Sequence, residues 1–202
     1  MKSIKHPHIV SFKHYFQNEK RNKYWIFMEY VPWDTLHSFV KNRENRLTIS
    51  EIKKIMSQLM EILCYLSQNN ICHRDIKMDN ILICPKTLEI KLIDFGVSKV
   101  LSDSSDFLFS PVGKVNYRAP EFEEYGSYNT QYDIWQSGLI FMGLLTNKRT
   151  SSRTVSKFFQ KKKEEFLPIN VKDLLSRLLK TNPNERCNCF QARAHEFFSE
   201  EN

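Results

Sequence analysis

Residues 73–80 read His73-Arg74-Asp75-Ile76-Lys77-Met78-Asp79-Asn80 and are the most informative stretch of this sequence. The stretch follows a long segment with helical periodicity and precedes a short apolar run that predicts a strand. Each polar residue in it has an ordinary structural explanation. A lone histidine is more often a core residue than a catalytic one, and a lone aspartate is usually a turn or cap residue. The meaning of these residues therefore depends on the motifs that accompany them.

Four further features follow in a set order along the chain. Asp94-Phe95-Gly96 ends the apolar run 90–93, Ala119-Pro120-Glu121 closes a polar segment, Asp133-Ile134-Trp135 opens a helical pattern, and Arg186 comes late. Each feature is weak evidence by itself, because a tripeptide recurs by chance in many chains. Their joint occurrence in this order makes chance assembly a poor explanation.

With these motifs the sequence resembles the eukaryotic protein kinases over residues 5–198. The resemblance implies that Asp75 is the catalytic aspartate, which orients the substrate hydroxyl and accepts its proton. It also implies that Lys77 contacts the γ-phosphate of ATP and that Asn80 and Asp94 hold Mg²⁺ through hard oxygen ligands. A lysine in the place of Lys77 is the pattern of serine/threonine kinases. The expected reaction is therefore phosphate transfer from ATP to Ser or Thr hydroxyls of a protein substrate.

The same resemblance places the hinge that binds adenine at residues 28–31. Met28 would be the gatekeeper, the backbone groups of Glu29 and Val31 would bond the adenine edge, and Leu82 would lie under the ring. Trp33 and Asp34 replace the glycines that usually follow the hinge, which changes the expected ribose contacts.

Other matches to the family are structural. His73 and Phe95 resemble members of a hydrophobic spine that also includes Phe12, and Gly96 completes the Asp-Phe-Gly motif. Asp133 is expected to cap its own helix and to bond the backbone of the catalytic loop.

Two more expectations concern the segment that ends at Ala119-Pro120-Glu121. Glu121 and Arg186 are expected to form a buried ion pair that anchors the end of the segment. Ser110 lies where related kinases carry an activating phosphate, and Arg74 is the expected partner of that phosphate. The alternative is that Ser110-Pro111 is merely a turn.

The sequence departs from the family in four places. No glycine occurs among the first 95 residues, so no Gly-rich phosphate loop is present there. The Val-Ala-Ile-Lys strand and the glutamate of the family's regulatory helix are not found either. Aligning His6-Pro7 with the family predicts that the first residues are the last turns of that helix. Lys114 replaces a common threonine and is expected either to pair with Asp75 or to reach a substrate phosphate.

Two explanations of these departures stay open. The chain is either an incomplete copy of a working kinase or a natural kinase-like protein, a pseudokinase, that acts by binding. Retention of all four catalytic and metal-binding residues favours the first explanation, because only phosphotransfer needs all four.

Periodicity predicts the remaining elements. Thr48 to Asn70 is the clearest helix, opened by a capping-box pattern of Thr48 and Glu51 and ended by Asn69-Asn70. Strands are predicted at 9–16, 24–31, 81–84 and 90–93, a long loop at 97–118, and further helices at 132–146, 151–165, from 170 and at 189–199. The fold class is α+β and protein-kinase-like. Residues 1–31 are predicted as a remnant of the small lobe (the end of the regulatory helix, two strands and the hinge), and residues 32–202 as a mostly helical large lobe.

Composition adds limits. Lys and Arg number 30 against 23 Asp and Glu, and the resulting charge of +7 favours acidic partners without naming one. No run reaches the roughly 18 apolar residues of a membrane span. Five cysteines without a CxxC pair predict reduced thiols and an intracellular location, cytoplasmic or nuclear. Nucleic acid is not expected as a partner, because Lys161-Lys162-Lys163 is typical of a solvated face and no stacking motif supports an RNA-binding domain.

Overall fold

The computed structural model describes residues 4–103, 106–160 and 166–199. Its strands are Phe12–Asn18 (β1), Lys23–Met28 (β2), Asp34–Thr35 (β3), Ile71–Cys72 (β4), Ile81–Ile83 (β5), Ile90–Leu92 (β6) and Lys99–Val100 (β7). Its α-helices are Leu36–Asn42 (α1), Ile49–Gln68 (α2), Pro120–Tyr125 (α3), Gln131–Thr146 (α4), Ser152–Gln160 (α5), Ile169–Leu178 (α6) and Cys189–Arg193 (α7). Single 3₁₀ turns occur at Glu19–Arg21, Met78–Asn80, Val115–Tyr117 and Glu196–Phe198.

Helix α2 has the start, the end and the buried face that its sequence predicts. The Thr48 hydroxyl accepts a hydrogen bond from the Glu51 amide at 3.2 Å, and the Glu51 carboxylate accepts one from the Thr48 amide at 2.8 Å. The helix stops where Asn70 adopts a left-handed conformation with φ of 52°. The predicted stripe is buried and consists of Ile52, Ile55, Met56, Leu59, Leu63 and Leu66.

Helix α4 lies at the centre of the packed helices. It is buried on nearly every side from Tyr132 to Leu144, and Trp135 and Phe141 are almost without exposure. A helix without a polar face has to lie in the interior, because no side of it can be left in water. Helices α2 and α6 pack against it, and this arrangement holds the first turn of α4 against the residues that follow β4.

The strands form three small antiparallel sheets. Strands β1 and β2 make a hairpin, β3, β5 and β6 make a three-stranded sheet, and β4 pairs with β7. The predicted hairpin of residues 81–84 and 90–93 is confirmed by β5 and β6. The β1–β2 hairpin leaves large apolar side chains about half exposed on both of its faces, among them Phe16, Trp25, Ile26 and Phe27.

Several predicted boundaries are wrong. Strand β1 begins at Phe12 instead of Ile9, because residues 8–10 pair with β6: Leu92 N donates to His8 O at 2.8 Å, and Val10 N donates to Leu92 O at 3.0 Å. Residues 29–31 lie outside β2, which ends at Met28. Helices α1 and α3 and strands β3, β4 and β7 were not predicted.

The predicted last helix, 189–199, is two pieces. Helix α7 ends at Arg193, and the side chain of His195 then caps the 3₁₀ turn Glu196–Phe198 by accepting from the Phe197 amide at 3.1 Å. The other nitrogen of His195 contacts Asp173 of α6 at 2.8 Å. This long-range contact turns the chain at a point where the periodicity of the sequence predicts that the helix continues.

Three predictions fall wholly or partly outside the described residues. Residues 4–8 are not helical, and residues 1–3, where the end of the family's regulatory helix was also expected, are not described. The basic helix is seen as α5 up to Gln160, whereas Lys161-Lys162-Lys163 lies outside the described part. The division of the chain at Val31 stays a prediction.

In the part of the chain that the structure describes, no helix combines the length and the apolar character needed to cross a membrane.

Candidate active site

The loop after β4 is held by the first turn of α4. Asp133 accepts two backbone hydrogen bonds through its carboxylate, from the His73 amide at 2.7 Å and from the Arg74 amide at 2.8 Å. One turn further along α4, the Gln136 side chain accepts from the Ile76 amide at 2.8 Å. These three bonds join residues about sixty positions apart and fix the course of residues 73–76, which carry the predicted catalytic aspartate.

Asp133 therefore has only one of its two predicted roles. It bonds the backbone of the loop, but the N-cap of α4 is Thr130, so the prediction that Asp133 caps its own helix is wrong. Complete burial raises the pKa of Asp133 to about 6, and the hydrogen bonds from the His73 and Arg74 amides oppose this shift. Sequence reasoning missed Gln136, although its position three residues after Asp133 puts it on the same face of the helix.

The two carboxylate oxygens of Asp75 have different surroundings. Oδ2 accepts from the Lys77 ammonium at 2.5 Å and from the Asn80 side-chain amide at 2.8 Å. Oδ1 is buried and has no hydrogen-bond partner among the described residues. A buried carboxylate oxygen without a donor is costly. This oxygen is therefore an acceptor whose donor is not found within the described residues.

Gly113 lies directly against this aspartate. Its φ is +77°, and a Cβ built on it would meet the Arg74 carbonyl at 2.5 Å and Asp75 Oδ1 at 3.6 Å. Only glycine fits such a position, because any side chain would clash with the backbone of the loop. The neighbouring Lys114 is exposed, and the ion pair that the structure shows for Asp75 is the one with Lys77. The other expected role of Lys114, contact with a substrate phosphate, remains a prediction.

Asp94, Phe95 and Gly96 follow β6 and reach the same loop. Asp94 has a left-handed backbone with φ of 64°, a conformation that is strained for a residue with a side chain, and its Oδ1 accepts from the Gly96 amide at 3.1 Å. The Phe95 ring meets the His73 ring edge-on with 4.7 Å between centroids. The predicted contact of these two residues is thus present, and Phe12 lies half-buried at the start of β1.

His73 is a core residue with a structural function. It is fully buried, its Nδ1 accepts from the Asp75 amide at 3.3 Å, and its Nε2 faces the Ile93 carbonyl at 3.3 Å. Burial lowers its pKa to about 4, while the nearby carboxylates of Asp75 and Asp94 act in the opposite direction. The neutral ring therefore connects the loop to β6 and brings both carboxylates to one place.

Asn80 and Asp94 suit Mg²⁺ by their chemistry. Asn80 uses both amide hydrogens on Asp75, so its amide oxygen is the atom left to bind a cation. Asp94 is exposed and presents a carboxylate, the ligand that hard cations prefer. Among the described residues, no group of three or more His, Cys, Asp or Glu side chains could hold a metal ion. Mg²⁺ is usually bound by one or two protein ligands together with substrate phosphates and water, so two ligands are sufficient for that arrangement.

The predicted hinge lies beside the sheet that carries Leu82. The Glu29 carboxylate pairs with Lys91 at 2.8 Å, and Lys91 lies opposite Leu82 in the register of β5 and β6. The hydrogen bond from Lys91 holds the pKa of Glu29 below its ordinary value. Met28 is exposed at the end of β2, and Val31 and Leu82 are half-buried. The four predicted adenine-site residues are therefore located at the junction of the hairpin and the three-stranded sheet.

The end of the long loop is anchored by the predicted ion pair. Arg186 and Glu121 form a bidentate pair with both distances at 2.8 Å, and both side chains are buried. Arg186 also donates to the carbonyls of Lys180 and Gln131 and lies over the Trp135 ring. All three nitrogens of the guanidinium are used, which is the condition under which a buried charge is tolerated.

Arg74 and Ser110 are connected through a residue that the sequence did not indicate. Arg74 is buried, donates to the Val97 carbonyl and contacts the Tyr128 hydroxyl at 3.3 Å. Tyr128 in turn donates to the backbone carbonyl of Ser110 at 2.8 Å. The Tyr128 hydroxyl thus connects the Arg74 guanidinium to the backbone of Ser110, whose side chain is exposed. Arg74 is the predicted partner of a phosphate on that side chain.

The sequence that forms this site also matches the model of a known protein family. The "Protein kinase domain" family model matches residues 1–198, and the chain belongs to that family. The relatives are all named as kinases, one of them as a serine/threonine kinase, and they are 27–30% identical to this chain.

Three relatives illustrate the similarity. The chain is 30% identical over 243 residues to "Glycogen synthase kinase 1" of Pyricularia oryzae, covering 99% of this chain and 61% of the relative. It is 30% identical to "SNF1-related protein kinase catalytic subunit alpha KIN12" of Arabidopsis thaliana, covering 98% and 41%. It is 27% identical to "Serine/threonine-protein kinase PLK4" of Xenopus tropicalis, covering 97% and 21%. The chain thus spans between about a fifth and three fifths of the length of these curated relatives.

Proposed function

We propose that this chain is a serine/threonine protein kinase domain that transfers the γ-phosphate of ATP to a hydroxyl of a protein substrate. The observation that carries the proposal is the asymmetry of Asp75. Lys77 and Asn80 hold one of its carboxylate oxygens, and the other is buried without a donor beside Gly113. A substrate hydroxyl can supply the missing hydrogen bond, and it would then be aligned for proton transfer.

Each side chain of the site has a separate role in the proposed reaction. Asp75 orients the hydroxyl and takes its proton, while Lys77, which is already paired with Asp75, is placed to contact the transferred phosphoryl group. The Asn80 oxygen and the Asp94 carboxylate would hold Mg²⁺, which neutralises charge on the triphosphate when it is bound. Backbone groups of Glu29 and Val31 would bind adenine, with Leu82 beneath the ring.

The name of one relative, "Serine/threonine-protein kinase PLK4", supports Ser or Thr as the acceptor, and Lys77 supports it independently. The substrate itself is a protein, and we expect ATP as the phosphate donor. All five cysteines are free thiols, and four of them are buried, which supports a reducing compartment, the cytoplasm or the nucleus.

A pseudokinase that acts by binding is the second candidate. The absence of glycine from the first 95 residues favours it, because no glycine-rich loop in that region can cover the phosphates. Loss of one preorganised donor typically costs on the order of 10²–10³ in rate, and a phosphate loop contributes several donors. A kinase would transfer phosphate in a reaction that depends on Asp75, whereas a pseudokinase would transfer none.

Calorimetry with Mg²⁺–ATP and a radiolabelled phosphotransfer assay on a mixed protein substrate separate the candidates. We expect weak ATP binding and slow transfer that Asp75→Asn abolishes, because the amide cannot accept the proton while the fold is retained. Asp94→Ala should have the same effect through loss of the metal ligand. Transfer that persists in Asp75→Asn would contradict the proposed role of Asp75. Complete absence of transfer in the unaltered chain would favour the pseudokinase.

A further inference from the structure

A small cavity with a basic lining lies beside the loop of residues 73–80. It has a volume of about 200 Å³ and is lined by Lys114, Asn116, Tyr117, Arg149, Thr150 and Ser151. Lys114 and Arg149 are positively charged, and none of the residues that line the cavity is acidic. The other four carry neutral polar groups. Such a lining suits an anionic group, because hydrogen bonds between charged partners are stronger than those between neutral ones.

The chain links this cavity directly to the proposed catalytic aspartate. Gly113 is the residue before Lys114, and a Cβ built on it would lie 3.6 Å from Asp75 Oδ1. Neighbouring Cα atoms are about 3.8 Å apart, and an extended peptide advances about 3.3 Å per residue. A substrate whose hydroxyl meets Oδ1 can therefore bring a side chain one or two positions away to Lys114.

The turn that carries Arg149 is packed against α4 and the loop of residues 73–80. A Cβ built on Gly143 of α4 would meet Met78 Cε at 2.5 Å and Thr150 Oγ1 at 3.4 Å, so the turn approaches the helix closely at this point. The Thr150 hydroxyl also donates to the Leu139 carbonyl of α4 at 2.7 Å. These contacts fix the backbone on both sides of the helix residue that they share, and they hold Arg149 at the edge of the site.

Both basic side chains retain donors for a ligand. Lys114 is exposed, and no hydrogen bond or ion pair is found for its ammonium among the described residues. Arg149 lies 3.5 Å from the Asp79 carboxylate through Nη2, one of the atoms that carry the five N–H donors of a guanidinium. The Arg149 side chain is 62% exposed, and an ion pair in such a position contributes little. The positive charge of the cavity is therefore not cancelled by Asp79.

We propose that this cavity binds an anionic side chain of the protein substrate, a carboxylate or a phosphate, one or two positions from the acceptor hydroxyl. Lys114 and Arg149 would bind its oxygens. The inference rests on the proposed function, because it takes Asp75 as the partner of the acceptor. It narrows the substrates to Ser or Thr sequences that are acidic or already phosphorylated next to the acceptor.

Binding is measured on the full chain without nucleotide, so that the result does not depend on phosphotransfer. Fluorescein-labelled peptides with a central serine carry Asp, phosphoserine or Asn at each of the two positions on either side, and fluorescence anisotropy gives their Kd. We expect an anionic residue at one of these positions to tighten binding about tenfold relative to Asn. Added salt should weaken the preference, because it screens exposed charges. The tighter of the Asp and phosphoserine peptides identifies the source of the anion.

Three variants test which side chains are responsible. Lys114→Gln and Arg149→Gln each remove one charge with little change in size, and each should reduce the preference about threefold or more. The double variant should lose it. Lys86→Gln removes the same charge from the exposed turn between β5 and β6 and is the control that should keep it. Circular dichroism establishes that each variant is folded. An anionic preference that is absent from the unaltered chain, or that persists in the folded double variant, would overturn the inference.

A phosphotransfer assay on the same peptides separates this inference from the proposed function. Selective binding of anionic peptides without any transfer would support the cavity as a binding site and contradict the proposed function. Transfer to the Asp, phosphoserine and Asn peptides at equal rates would support the proposed function and overturn the inference.

Discussion

Asn80 donates both hydrogens of its side-chain amide to Asp75, one to the backbone carbonyl at 2.9 Å and one to Oδ2 at 2.8 Å. This double contact closes the loop of residues 75–80 on itself and fixes the rotamer of the carboxylate. The other carboxylate oxygen, Oδ1, is left without a donor and lies near Gly113. Catalytic groups need this kind of restraint, because small errors in geometry cost rate steeply.

The first prediction concerns this contact. Asn80→Ala should lower the free energy of unfolding by about 1–3 kcal/mol, because the Asp75 carbonyl loses its donor and Oδ2 keeps only its bond from Lys77. It should also raise the Mg²⁺ concentration needed for half-maximal ATP binding. Asn42→Ala, at the exposed end of α1, is the control and should change neither quantity. Denaturant unfolding and Mg²⁺ titration measure both effects. Stability equal to that of the Asn42 variant would contradict the argument.

The second prediction concerns the ion pair of Glu121 and Arg186. Glu121→Gln should destabilise the protein by about 3–5 kcal/mol, because it leaves a buried guanidinium without a counter-charge. The control is Glu123→Gln, two residues away, where an exposed carboxylate lies 3.6 Å from Arg118 and contributes little. Thermal unfolding followed by circular dichroism measures both variants. Similar midpoints for the two would show that the buried pair does not anchor the segment.

The third prediction rests on the path from Arg74 through Tyr128 to Ser110. A phosphoserine at position 110 adds nearly two negative charges and strong acceptors that Arg74 can bind. We expect slower amide exchange in residues 106–118 after incorporation of phosphoserine at this position. Exchange mass spectrometry compares it with phosphoserine at Ser102, which is an exposed position near Asp103 and Asp106.

The role of Arg74 in this effect can be tested by substitution. Arg74→Lys keeps the charge but loses the planar fork, so it should reduce the protection given by the phosphate. Arg74→Ala should remove it. Because Arg74 also bonds the Val97 carbonyl, melting curves are needed to show that both variants fold. Protection that is unchanged in the folded Arg74→Ala variant would support the alternative, in which Ser110-Pro111 is only a turn.

The fourth prediction concerns pH and the start of α2. The hydrogen bond from the Thr48 amide is the largest cause that holds the pKa of Glu51 below its ordinary value. A carboxylate with a lowered pKa in the folded state stabilises the protein above its unfolded pKa, and this contribution is lost as the pH falls through the folded pKa. We therefore expect Glu51→Gln to be less stable than the wild type near pH 7 and to match it in acid.

Measurement of this prediction needs unfolding curves between pH 3 and 7. Glu44→Gln, which removes an exposed charge before α2, is the control and should not show the same convergence. Thr48→Ala removes the other half of the capping box and should cost about 1 kcal/mol at neutral pH. A Glu51→Gln difference that does not depend on pH would show that the charge of Glu51 is not involved.

The sequence by itself determined those features that depend on neighbours along the chain. Helix α2 could be located with its cap, its stop and its buried face, because capping bonds and helical periodicity involve residues three or four positions apart. The β5–β6 hairpin was predicted for the same reason. The order of short motifs identified residues 73–80 and 94–96 as one site, although no single motif was sufficient.

Tertiary structure alone decided how distant residues meet. Asp133 bonds the amides of His73 and Arg74 instead of capping its own helix, and Tyr128 bonds Arg74. These three bonds each join residues more than fifty positions apart. Local patterns carry no record of such contacts, since each depends on packing that brings distant segments together and excludes water from between them.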